Sequence, residues 1–234
     1  MKQVLLDYLE ICSRFRKDGL SKLERRLRHT LLTEWAKKHY ADDNLTIPEL
    51  YEFWDKHGDM CHNRIFFEKV IVPVVDDDMK YGNIEGLKFL FYCLRGYEDV
   101  SFNSSESPVS IFCDAIDYQF GTVQLVDMVL EKEPEEENAL KYKYHHLLDF
   151  FEFSIHEMPT GILNGMNGAS KPDIPEMLKD IDEFERISGI LNMPLYEDLI
   201  NSCRKYYTAY GDYLQNLNQY ESFEEYMHLN NISY

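Results

Sequence analysis

The sequence predicts an all-α protein of stacked antiparallel helical hairpins, forming a compact or slightly superhelical, helical-repeat-like body. Three observations predict it. Apolar residues recur at three- and four-residue spacing through almost every segment. Helix-start signals punctuate the chain at Ser21–Glu24, Thr46–Glu49, Ser107-Pro108, Asp173–Glu176 and Ser222–Glu225. The links between periodic segments are short, which favours antiparallel neighbours. A chain of 234 residues with 44% hydrophobic and 14% aromatic content is too apolar for a disordered protein and suits a single domain over 1–234. The Ser-rich stretch 101–107 is its weakest boundary. It allows a subdivision into an N-terminal helical part, 1–97, and a C-terminal one, 107–234.

The elements follow in order. Val4, Tyr8, Cys12 and Phe15 recur at helical spacing until Gly19 interrupts. Ser21 and Glu24 form a capping box, in which each side chain satisfies the other's backbone N–H. The helix over 21–40 carries Leu23, Leu27, Leu31 and Trp35 on one stripe. Thr46 and Glu49 form a second box, with Pro48 at a tolerated position, and that helix ends near Gly58. Segment 65–79 contains FFEKVIVPVV, which is strand-like in composition. Pro73 would remove a ladder donor from a central strand, and Phe66, Val70 and Val74 also fit helical spacing. The expectation is a helix kinked or broken at Pro73. Gly82 stops it, Asn83 is the expected cap of the next, and Ile84, Leu87, Leu90, Phe91 and Leu94 form an inner face.

Residues 97–107 read as a polar connector. Ser107-Pro108 opens a helix through Ile111, Phe112, Ala115 and Ile116, which Gly121 ends. Thr122–Glu133 continues with Val126, Val129 and Leu130 inward. Pro134 restarts the chain, and Glu135–Glu137 sit at the positive end of a helix running to about Met158. Residues 159–170 (PTGILNGMNGAS) are the most loop-like stretch, where Ile162, Leu163 and Met166 could form a docking tip or tuck under the body. A helix from Asp173 carries Met177, Ile181, Phe184 and Ile187, and Met193-Pro194 breaks it. Another runs from about Leu195 to Leu217, and Ser222 caps a terminal one. No fixed repeat period emerges. Asp76–Leu90 has the rhythm of an ankyrin second helix and Glu131–Leu148 that of a tetratricopeptide junction. Each occurs once without the rest of its signature, so no family is assigned.

The five cysteines are scattered and form no CxxC pair, which points to a reducing compartment. The N-terminal apolar run is broken by Asp7 and Glu10, unlike a signal peptide, and no apolar run approaches the ~18 residues of a membrane span. A cytoplasmic location is expected. The formal charge is −18, placed unevenly: residues 1–40 hold ten Lys/Arg and five Asp/Glu, residues 41–234 fourteen and thirty-seven. Such a body repels nucleic acid phosphates and anionic membranes and attracts basic proteins. The plain alternative is that the charge only keeps an aromatic-rich chain in solution.

One stretch invites a chemical reading. In HHLLDFFEFSIHE, His145, Asp149, Glu152 and His156 fall within an arc of roughly 60° on a helical wheel. Two imidazoles and two carboxylates on one face could ligate zinc or iron, or supply a general base. A wet strip between two packed faces explains the same stripe, and that reading is preferred, because neither HExxH nor ExxH spacing occurs within this stretch. His57, Cys61 and His62 would need further zinc ligands, and Asp76–Asp78 lack the frame of a calcium loop. No phosphate-cradling loop or GxSxG elbow occurs, so no enzyme and no cofactor are specified.

Two helical faces suit binding instead. The helix over 21–40 carries Lys22, Arg25, Arg26, Arg28, His29, Lys37 and Lys38; it can dock on the acidic remainder of its own chain or bind a partner. Tyr206, Tyr210, Tyr213 and Tyr220 follow helical spacing near the C-terminus and are the candidate partner-binding residues, unless they pack on the preceding hairpin. The expected function is a non-enzymatic acidic protein-binding module, in its most concrete form an inhibitor or immunity-type protein for a basic partner. The alternatives are a scaffold or regulator binding peptides along the Tyr-lined face, and a metal-dependent enzyme using the His145–His156 stripe. Oligomeric state is open.

Overall fold

Capping chemistry places the helix starts. A computed structural model of the chain describes residues 1–16, 19–39, 45–58, 63–94 and 107–234. Polar connector positions 97–106, Tyr40, and the Cys61–His62 pair lie outside the described residues. The architecture is all-α, with stacked helix–helix contacts of the helical-hairpin kind. Two compact units are present, Met1–Ala139 and Leu140–Tyr234.

In the first unit, α1 (Gln3–Arg14) and α2 (Lys22–His39) form a hairpin. The Ser21 box is complete: the Ser21 N–H donates to Glu24 at 2.9 Å and the Glu24 N–H to the Ser21 hydroxyl at 3.2 Å. At α3 (Ile47–His57) the Thr46 N–H likewise donates to Glu49 at 2.9 Å. Tyr8, Trp35, Phe53 and Phe66 form one aromatic cluster, with Tyr8 and Phe66 ring centres 4.4 Å apart and Tyr8 and Trp35 5.1 Å apart. The indole N–H of buried Trp35 donates to the Val4 carbonyl at 3.0 Å, so a polar atom carried into the core keeps a partner.

The segment around Pro73 is helical, as the spacing predicts, and the accommodation is a widened turn. α4 (Arg64–Phe66) opens into a π-helical turn over Phe67–Ile71, where the Val72 N–H reaches the Phe67 carbonyl five residues back. α5 (Val72–Lys80) follows without a break, with Pro73 in its first turn, where it brings no N–H to the carbonyls of the widened turn before it. Gly82 ends this segment with φ +76°. The cap of α6 (Glu85–Tyr92) corrects the expectation for Asn83. Asp78, on α5, accepts from the Gly86 N–H at 2.7 Å, and the Asn83 amide donates to the same carboxylate at 3.2 Å. A side chain one helix earlier thus satisfies the orphan donor. Gly86 permits this close approach, because a Cβ there would lie 3.0 Å from the Val75 Cα. Ile84, Leu87, Leu90, Phe91 and Leu94 are all buried, as their spacing predicts. α7 (Pro108–Ala115) starts on Ser107, whose hydroxyl accepts from the Ser110 N–H; Ala115 is exposed. At α8 (Thr122–Leu130) Gln124 reaches back to the Gly121 N–H at 2.8 Å.

The second unit holds most of α9 (Glu137–Ser154), with α10 (Ile174–Leu191), α11 (Glu197–Gln215) and α12 (Phe223–Leu229). Its core is built around Phe184, whose ring centre lies 4.7 Å from Tyr144 and 5.5 Å from Phe151. Ser154 and Tyr207 exchange a buried hydrogen bond between α9 and α11. The loop over 159–170 contains a small antiparallel hairpin, β1 (Leu163–Asn164) against β2 (Asn167–Gly168). Ile162 is buried at its base, Met166 is 90% exposed at its tip, and Gly165 takes φ +60°. The expected Asp173 capping box is a turn instead: the Asp173 carboxylate accepts from the Ser170 N–H at 2.7 Å, one turn before α10 begins. At the C-terminus Ser222 caps α12 as its sequence predicts, accepting from the Glu225 N–H.

Candidate functional site

The His145–His156 stripe does not assemble into a ligand set. α9 ends at Ser154, whose hydroxyl bonds back to the Phe151 carbonyl and competes with helix continuation, and Pro159 follows. His156 therefore lies past the helix. Its Nδ1 contacts the Phe153 carbonyl at 2.6 Å and its Nε2 faces Glu157 at 3.1 Å. Glu152 is exposed, while His145 and Asp149 are half-buried further back on the helix. Among the described residues no group of three or more His, Cys, Asp or Glu side chains is placed to hold a metal ion. The metal-dependent reading thus loses the geometry it needed, because the wheel assumed a helix one turn longer than the chain forms.

A different histidine is the unusual one. His146 is largely buried and stacks over Tyr142 with ring centres 6.4 Å apart, and its Nδ1 has no hydrogen-bond partner. Burial holds its pKa below the ordinary imidazole value; Asp149 pulls it upward and Lys143 further down. In the sequence it sits beside the apolar Phe150 and Phe153, a signal of burial, but its neighbours come from the fold.

Asp76–Asp78 are also structural. Asp76 pairs with Lys80, and Asp78 caps α6. Cys93, Cys113 and Cys203 are buried free thiols and Cys12 is half-buried. Burial raises the Cys203 thiol to about 11, so it is held protonated at neutral pH.

Tyr206, Tyr210 and Tyr213 stand on α11, while Tyr220, expected at the same helical spacing, lies past its end at Gln215 in extended backbone. Tyr206, Tyr210, Tyr213 and Tyr220 are each half-buried. Tyr210 and Tyr213 lie 4.8 Å and 5.5 Å from Phe223, and Tyr220 lies 5.0 Å from Tyr226, both rings on α12. Tyr206 donates to the Ser233 carbonyl at 3.3 Å. The four rings thus pack one side against the C-terminal segment and leave the other open. Beyond them, Met227, Leu229, Ile232 and Tyr234 line an open cleft on the same segment.

Carboxylates dominate the surface of both units. The first holds seventeen Lys/Arg against twenty-seven Asp/Glu, the second seven against fifteen. Glu133, Pro134, Glu135 and Glu136 line a shallow concavity between α8 and α9. Cations are drawn into local pairs: Arg204 spans Asp182 and Glu185 at 2.9 Å each, and Lys88 bridges Glu85 and Glu133 at 3.0 Å. No described helix is long and apolar enough to cross a membrane. Comparison with known protein families, with curated proteins and with solved structures finds no match to this chain.

Proposed function

We propose that this chain is a non-enzymatic binding protein whose acidic surface engages a basic protein partner. The observation that carries the reading is the excess of carboxylates, forty-two Asp/Glu against twenty-four Lys/Arg, spread over both units. Opposed potentials steer encounter and raise association rates, and like-charged partners are rejected. An all-α architecture in which carboxylates outnumber cations in each unit supports the role. The most concrete version is an inhibitor or immunity-type protein that covers a cationic cleft on a toxin or nuclease. Scattered cysteines, free where described, support a reducing, cytoplasmic setting.

The experiment is native mass spectrometry of the chain isolated gently from its source, followed by affinity measurements across salt. A heteromeric complex with a basic protein, weakening steeply as salt rises, is the expected result. A complex insensitive to salt, or one with an acidic protein, overturns the reading.

A second reading is favoured by the half-open tyrosines: peptide capture along Tyr206, Tyr210, Tyr213 and Tyr220. It predicts weak salt dependence and loss of binding in Tyr210→Ala, whose ring joins the cluster to α12.

A further inference from the structure

The first half of α2 projects an uncovered amphipathic face. From Lys22 to Thr30 every residue is exposed except Glu24 and Arg28, which are half-buried. Leu23 is 75% and Leu27 50% exposed, although both lie on the stripe that ends in buried Trp35. On the wheel these leucines and Leu31 share an arc of about 80°, and Lys22, Arg25, Arg26 and His29 occupy the adjoining arc of about 100°. None of the described ion pairs involves Lys22, Arg25 or Arg26. The nearby Glu24 carboxylate is taken by the Ser21 N–H and hydroxyl. The half-helix therefore presents cations beside apolar surface with neither partnered among the described residues.

We infer that this half-helix docks on the acidic surface of a second copy of the same chain. The argument is charge complementarity. Residues 1–40 carry ten Lys/Arg against five Asp/Glu, while 41–234 carry fourteen against thirty-seven, so every copy offers both signs on separate segments. A nucleic acid would use the cations and leave Leu23 and Leu27 in water. An anionic bilayer would use both, and it repels the carboxylate-rich remainder as a second copy of net charge −18 does, so cosedimentation with vesicles decides between them. A protein surface rich in carboxylates with apolar patches matches both halves of the face. Two α2 helices repel each other, so the contact is heterologous: the basic helix of one copy meets the acidic surface of the next. Such contacts close into a ring or grow with concentration. The docked helix also covers acidic surface, and so competes with any basic partner. The self-contact itself does not depend on that partner's existence.

Sedimentation velocity of the full chain, over a concentration series and from about 0.05 M to about 1 M salt, tests this. The expected result is a sedimentation coefficient that rises with concentration at low salt and is flat at high salt, where the Debye length is about 3 Å. Arg25→Glu/Arg26→Glu should weaken association at least about tenfold at low salt, and Leu23→Ala/Leu27→Ala should weaken it at every salt concentration at which the parent associates. Circular dichroism confirms that the variants fold; should the reversal perturb α2, Arg25→Gln/Arg26→Gln replaces it. A chain that stays monomeric at low salt overturns the inference. So does association that the charge-reversed variant retains. Cosedimentation with phosphatidylserine vesicles that this variant loses, without self-association, also overturns it and assigns the face to lipid.

Discussion

The two halves of α2 share one helix, yet their apolar residues do different work. In the far half Leu32, Trp35 and Ala36 are buried against α1 and α4. In the near half Leu23 and Leu27, on the stripe that leads to Trp35, face water. Periodicity describes both halves equally well, because the 3.6-residue repeat is a property of the helix alone. Coverage is a property of neighbours. α1 reaches the far half through Val4 and Tyr8, and nothing described plays that part for the near half. An amphipathic stripe therefore marks a face able to be buried, and a stripe that runs past its neighbours marks surface left for something else.

The sharpest way to break this contrast is to remove Trp35. Its ring stands 5.1 Å from Tyr8 and its indole N–H bonds the Val4 carbonyl. Trp35→Ala opens a cavity and removes that hydrogen bond, and should cost about 3–5 kcal/mol in a urea or thermal unfolding experiment. A loss below about 1 kcal/mol would mean the inner half is no more embedded than the outer. Ser21→Ala should cost about 1 kcal/mol, because one hydroxyl both caps α2 and orients Glu24. Its effect belongs at the outer end, so amide exchange should quicken over the first turns of α2 and not around Trp35.

A third test carries the contrast between covered and open positions to α9. Buried His146 favours its neutral form, whereas an unfolded chain protonates it near pH 6.5. Its folded pKa is depressed, so below pH 6.5 the unfolded state binds the extra proton and gains relative stability. Its contribution is complete above that pH and shrinks as pH falls toward the folded value. The melting temperature of the native chain should therefore drop more between pH 7.5 and 5.5 than that of His146→Phe. Equal drops would place the imidazole in water.

How much of this was legible in the sequence follows the range of each interaction. The boxes at Ser21 and Thr46 and the cap at Ser222 span three residues, and each forms as written. The helical reading across Pro73 also held, because a missing N–H and a run of spaced apolar residues are local facts. Asn83 was the nearer and more obvious cap, but Asp78 reaches Gly86 across eight residues, through a turn that only the packed α5–α6 hairpin creates. The metal stripe depended on α9 continuing through His156. The Ser154 hydroxyl, bonded to Phe151 and to Tyr207 of α11, marks the end, and the α11 partner is fifty-three residues away. Spacing placed Tyr206, Tyr210 and Tyr213 on one helix, but Tyr220 lies past its end at Gln215, and the packing of these rings on Phe223 and Tyr226 comes from α12.

The smallest expected effect is the most informative about α2. Leu23→Ala/Leu27→Ala removes two large apolar side chains from a helix, which in a core would cost about 2–5 kcal/mol each. Here both are largely in water, and alanine is the best helix former, so monomer stability should stay within about 0.5 kcal/mol of the parent. Leu32→Ala, one to two turns further along the same helix and buried, should lose about 2–5 kcal/mol in the same unfolding experiment. Both variants shorten leucine to alanine on one helix, two side chains standing largely in water and one under cover. Measured at low protein concentration and high salt, the difference reports folding alone. At high concentration and low salt, any further stability that the parent gains and Leu23→Ala/Leu27→Ala lacks comes from association, since binding to the folded state alone raises apparent stability with concentration. A large loss from the double variant under the first condition would instead place Leu23 and Leu27 in the core, and the two halves of α2 would no longer differ.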